Sequence, residues 1–216
     1  MEKILSFLKD LKANNNREWF TANKKKYESA RKTFEDLLNR LIPEIQKIDP
    51  SIGTPTAKEC MFRIYRDVRF SKDKSPYKTN MGAYIAQGGR KGMHAGYYLH
   101  LEPGGSFLAG GVHMPPGDVL KKLRHEIMYN IDEFKSIIEN PEFKKHFEEF
   151  YGEKLSRPPQ GFPADFPEID LLKYKSYTVV NSFDAAVLNQ DQFIKHAISV
   201  YSSLYPFNRF LNRGLD

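Results

Sequence analysis

Apolar residues recur at helical spacing from the start of the chain. Ile4, Phe7, Leu8 and Leu11 predict a short helix over residues 1–12. Asn14, Asn15 and Asn16 interrupt it, and one of them is expected to cap the next helix. From Tyr27, the series Ala30, Phe34, Leu37, Leu38, Leu41, Ile45 and Ile48 predicts a long amphipathic helix. Pro43 is expected to kink or split it, and Pro50, Gly53 and Pro55 to end it. Residues 1–50 therefore read as helical.

The period then changes from 3.6 to 2. Over Met61–Phe70, Phe62, Ile64, Val68 and Phe70 share one parity, while Arg63, Tyr65, Asp67 and Arg69 share the other. That pattern predicts a strand. Met81–Gln87, Gly96–Glu102 and Ser106–His113 predict three more. Gly88-Gly89 and Pro103-Gly104-Gly105 supply tight turns between them, so neighbouring strands should be antiparallel and residues 60–113 should form a meander.

Residues 117–216 read as mostly helical. Val119, Leu120, Leu123 and Ile127 follow a Pro115-Pro116-Gly117-Asp118 start signal. Short helices are expected at Asp132–Ile138 and Pro141–Tyr151, and a longer one at Gln190–Tyr205. Four prolines in 156–167 predict an extended connection, and one strand is expected near 176–183. The fold class that follows is α+β: a single domain over 1–216, with an antiparallel sheet packed by N- and C-terminal helices.

Composition narrows the setting. The 16 Phe and 12 Tyr supply enough apolar area for a real core, which excludes a disordered chain. The single cysteine, Cys60, cannot form an internal disulfide, and no stretch has the length of a spanning helix or a secretory signal. These features predict a cytoplasmic protein with no membrane association.

Charge is unevenly placed. Residues 1–78 hold 18 Lys/Arg against 11 Asp/Glu, whereas the remainder is close to neutral. The excess is densest in Arg63–Asn80, which carries six cations with Asp67 and Asp73. Such a cluster attracts phosphates, acidic metabolites or nucleic acid. With 61–70 extended, Arg63, Asp67 and Arg69 would share a face, and Asp67 would hold a guanidinium flat for an anion. Arg66, of opposite parity, would need a partner such as Glu59 or Asp73. Ser75-Pro76 should turn Ser71–Thr79 into a lysine-bearing loop. The candidate anion-binding residues are thus Arg63, Arg66, Arg69, Lys74 and Lys78. The opposing reading is an ion-pair ladder serving the fold alone.

The candidates for proton transfer are Asp67, Tyr77, His100 and Glu102. In Gly96–Glu102, Tyr98, His100 and Glu102 form a polar stripe opposite Tyr97, Leu99 and Leu101. His100 and Glu102 could serve as base and orienter, or as metal ligands, or simply face solvent. Gly110-Gly111 signals a close approach or a bulge. No histidine pair has metal-ligand spacing on a helix, no zinc framework exists, and no Walker or Rossmann glycine loop is present. No metal and no cofactor is indicated. Cys60 reads as inert core.

Arg63-x-x-Arg66-Asp67-x-Arg69-Phe70 followed by Asp73-Lys74-Ser75-Pro76-Tyr77-Lys78 resembles the signature of a conserved family of uncharacterised bacterial and fungal proteins of about this length. Gly96–Pro103 and Leu171–Tyr177 are similar to that family too. The resemblance implies a domain of unknown function and carries no catalytic assignment.

Three functions fit these observations. The first is binding or processing of a phosphate-bearing small molecule through the 63–78 cluster. The second is a nucleic-acid-binding module using the cations of the 24–32 helix (Lys24, Lys25, Lys26, Arg31 and Lys32) plus those of the loop, interleaved with Tyr65, Tyr77 and Tyr97. The third is a structural or partner-binding domain with an internal ion-pair network.

Overall fold

A computed structural model describes all of residues 1–216. The helices are α1 (Glu2–Ala13), α2 (Arg17–Ala22), α3 (Lys24–Ile48), α4 (Ala57–Cys60), α5 (Gly117–Tyr129), α6 (Ile131–Ile138), α7 (Pro141–Lys144), α8 (Ile169–Leu172) and α9 (Gln190–Arg213). The strands are β1 (Met81–Ile85), β2 (Gly96–Leu101), β3 (Phe107–Val112) and β4 (Tyr177–Ser182), in that spatial order with every neighbouring pair antiparallel. The fold is α+β, and 45 buried apolar residues form one contiguous core, which makes it one domain. No helix is long and apolar enough to cross a membrane.

Local chemistry explains most element boundaries. The Asn16 side chain accepts from the Trp19 backbone N–H and starts α2. Thr56 and Glu59 form a capping box that starts α4. Asn189 and Gln192 do the same for α9.

Three expectations need correction. Pro43 does not split α3, which runs unbroken to Ile48; α9 likewise continues past Pro206 to Arg213. Both prolines lie on solvent-exposed faces, where the carbonyl each frees can bond to water while Ile42, Ile45, Phe207 and Phe210 stay packed. The helix expected over Pro141–Tyr151 stops at Lys144. The strand expected over Met61–Phe70 does not form. That segment makes isolated bridges, Met61 with Ala83 and Tyr65 with Tyr77, and its burial does not alternate: Met61 and Ile64 are buried, while Phe62 and Phe70 are exposed. Pro76, opposite Arg66, accepts one hydrogen bond but has no N–H to return, so the ladder ends there.

One face of the sheet packs on α9. Tyr97 meets Tyr201 edge-on at 5.1 Å, and the Tyr97 hydroxyl donates to buried Asp49 at 2.9 Å. Gly110 makes that approach possible, because a Cβ there would lie 2.0 Å from Leu204 Cδ2. The Gly110-Gly111 signal therefore marks the approach of a helix. Asn212 accepts from the Ala95 N–H and donates to its carbonyl, and the Asn208 side chain donates to the Gly96 carbonyl, so the end of α9 grips the start of β2.

Candidate functional site

Strand register decides which side chains reach the other face of the sheet. Tyr84, Tyr98, Ala109 and Val180 form one cross-strand row on it. Gly82, His100, Phe107 and Ser182 form the next. No helix covers these rows. They floor a cavity of about 820 Å³, whose walls include Phe62, Lys78, Asn80, Arg90, His94 and Met114. That is within the usual size range for small-molecule sites.

A hydrogen-bonded chain runs across the floor. The Thr79 hydroxyl donates to Glu102 Oε1 at 2.8 Å. Glu102 Oε2 lies 3.3 Å from His100 Nε2. On the other side of the ring, His100 Nδ1 lies 3.1 Å from the Tyr98 hydroxyl and 3.3 Å from Asn80 Nδ2. A carboxylate can only accept, so it selects the Nε2–H tautomer and leaves Nδ1 as the acceptor for both neighbours. Phe107 stacks on the imidazole at 4.4 Å. Burial pulls the His100 pKa below its ordinary value, opposed by the hydrogen bond and charge of Glu102. Burial, with a smaller contribution from Glu102, pushes the Tyr98 phenol up to about 12. At neutral pH the pair is therefore an uncharged base beside an uncharged acid.

Three further residues, Gly82, Tyr84 and Met114, shape the site. A Cβ at Gly82 would lie 2.6 Å from the Tyr98 hydroxyl, so glycine is what lets the phenol lean across β1. The Tyr84 hydroxyl is committed to structure, its one O–H directed at the His94 carbonyl at 2.7 Å with the Gly111 carbonyl 3.1 Å away. Met114 stands on the rim with φ of 46°, a left-handed backbone that few non-glycine residues adopt. Its N–H donates to Ser176 Oγ at 2.8 Å.

The residues singled out from sequence separate into two groups. Lys78, His100 and Glu102 come together. Lys78 and His100 line the cavity, and Glu102 anchors the histidine from behind. Burial, followed by the nearby Arg63 charge, lowers the Lys78 pKa, and its ammonium sits 5.4 Å from the Phe62 ring. Arg63 lies on a smaller depression next to the cavity.

The other five do not line either space. Arg66 is half-buried and holds the 66–75 loop closed: it pairs with Asp73 and donates to the Ser75 carbonyl and Ser71 Oγ. Asp73 also accepts from the Ser75 N–H and hydroxyl, and these bonds, with Arg66, lower its pKa to about 2. Asp67 and Arg69 pair with each other on the surface, and Lys74 donates to the Val68 carbonyl. Tyr77 is buried and stacks on Phe20 at 3.9 Å, with its N–H donated to Asn15.

Sequence reasoning gave no site role to Asn80, Phe107 or Arg90. The stripe Tyr98, His100, Glu102 was the available signal, and pairing β2 with its neighbours extends that stripe to Phe107. Cys60, read as inert core, is buried, and burial raises its thiol to about 11.

A family model described as conserved hypothetical protein (DUF2461) matches residues 3–210. No curated protein and no solved structure matches the chain.

Proposed function

The chain belongs to the DUF2461 family of conserved hypothetical proteins, and we propose that within this fold the open sheet face binds a small anionic molecule with an apolar body and moves a proton on it. One observation carries the reading: a neutral His100, oriented by Glu102 and bonded to the Tyr98 hydroxyl, lies in the wall of a cavity large enough for a metabolite. Tyr98 is the group presented to the ligand, His100 takes or returns its proton, and Glu102 steadies the imidazolium that forms in passing. Lys78, half-buried beside the apolar Phe62, supplies the positive charge for the anionic end.

The nucleic-acid reading draws less support. Lys26, Arg31 and Lys32 each lie against a carboxylate, Asp10, Glu35 and Asp36 respectively, so three of the five cations at the start of α3 are paired. Arg66, Arg69 and Lys74 are engaged within their own loop.

The test is a thermal-shift screen of carboxylated and phosphorylated aromatic compounds against the wild type and Val180→Trp, which fills the cavity from a partly exposed position on β4. Compounds should raise the Tm of the wild type and leave the filled variant unmoved. Equal shifts in both proteins, or none in either, would sink the proposal.

A further inference from the structure

Beside the main cavity lies a second depression of about 230 Å³, which shares Phe62, Asn80 and Arg90 with it. Four cations line this smaller space: Arg31 from α3, Lys58 from α4, Arg63 from the irregular segment and Arg90 from the β1–β2 turn. One carboxylate faces them. Glu35 lies 3.9 Å from Arg31 and 4.0 Å from Lys58, at the limit of an ion pair with each. Arg63 and Arg90 have no carboxylate partner. Arg90 is held in place by its Nη1, which donates to the Lys58 and Glu59 carbonyls at 2.8 and 2.9 Å. Its remaining N–H groups are unused.

Three stretches distant in sequence, at residues 31, 58–63 and 90, thus bring four cations against one nearby carboxylate to one depression. Like charges repel, and the hydrogen bonds of Arg90 to the Lys58 and Glu59 carbonyls use only one of its nitrogens; an anion bound among the four cations would relieve that repulsion. The volume is several times the roughly 30 Å³ share of one water in the liquid, which leaves room for a tetrahedral oxyanion. Guanidinium groups suit phosphate because their paired N–H donors match its oxygens. The wall is aromatic where the two spaces join, at Phe62.

We infer that the depression lined by Arg31, Lys58, Arg63 and Arg90 is a phosphate subsite, and that the ligand is a phosphomonoester whose apolar body passes Phe62 into the main cavity. The inference rests on the main cavity being a ligand site, and it adds the class of the charged group and the residues that hold it. The phosphate sits between the arginines, and the body lies over Tyr98 and Phe107 within reach of the His100 relay.

Calorimetric titrations with 1-naphthyl phosphate and 1-naphthol separate the two claims. The phosphate ester should bind at least about tenfold more tightly than the alcohol, the effect of a charge-assisted contact or more. Arg31→Gln with Arg63→Gln should remove that advantage and leave naphthol binding unchanged. Neither side chain makes a buried bond, so the double variant should fold; an unchanged Tm checks this. If the double variant keeps its preference for the ester, the phosphate subsite is overturned and the cavity reading stands, with Lys78 holding the anion; if the ester and alcohol bind equally, the subsite and the anionic end of that reading both fall. If neither probe binds, both fall.

Discussion

The Tyr98 hydroxyl lies 3.1 Å from His100 Nδ1, two residues along the same strand and on the same face. The bond needs a lone pair on Nδ1, so it stabilises the neutral imidazole. Tyr98→Phe should therefore raise the His100 pKa, read by NMR titration of the ring protons. The cost in stability should be about 1 kcal/mol, that of one hydrogen bond. An unchanged or lower pKa would show that the phenol does not control the histidine.

His100, His146 and His196 all have pKa values held below the ordinary histidine value of 6.5, in each case chiefly by burial. In that window the unfolded chain binds more protons than the folded one. Stability from these groups is complete above pH 6.5 and is lost as pH falls through the lowered folded values. Denaturant midpoints should decline from pH 7 toward pH 5. His196→Phe should flatten the decline, and a midpoint that rises on acidification would contradict the assignment.

Gly82→Ala should push the Tyr98 phenol off β1, because its new methyl carbon would lie 2.6 Å from the hydroxyl and 3.2 Å from the ring. Overpacking of this kind costs about 1–3 kcal/mol. Urea unfolding measures the loss, and the His100 titration should move in the direction expected for Tyr98→Phe. A neutral substitution would mean that the ring rotates away freely.

Arg66→Ala should open the 66–75 loop without unfolding the domain, since its guanidinium ties together Ser71, Asp73 and Ser75. Hydrogen exchange at Ser71 and Ser75 should accelerate, while β1–β3 amides keep their protection. Global acceleration would place Arg66 in the core of the fold instead.

The sheet, its antiparallel order and the long helices were legible because period and turn residues agree with each other there. Glycine turns at 88–89 and 103–105 and clean alternation in Gly96–Leu101 point to the same meander. The stretch 61–70 misled because its alternation is of residue type alone; Phe62 and Phe70 are exposed, so no buried face enforces a strand. Asp73 stood among the two partners offered for Arg66, but which one closes the loop depends on the Ser75-Pro76 turn. The cavity was only half legible. Its floor depends on cross-strand register, and a slip of one residue would turn Phe107 and Tyr84 away from His100. The four-cation depression joins residue 31, the stretch 58–63 and residue 90, whose meeting no local pattern encodes.

The row Tyr84, Tyr98, Ala109, Val180 has a further consequence. Strands stand about 4.8 Å apart, so the row grades from phenol to methyl to isopropyl over roughly 15 Å. Along this row a molecule meets phenols at one end and hydrocarbon at the other, while Thr178 and Ser182 flank Val180 with hydroxyls on β4. The row is therefore graded: it distinguishes a ligand's head from its tail before any loop contributes, and a ligand entered backwards would exchange a phenol for aliphatic hydroxyls at its polar end.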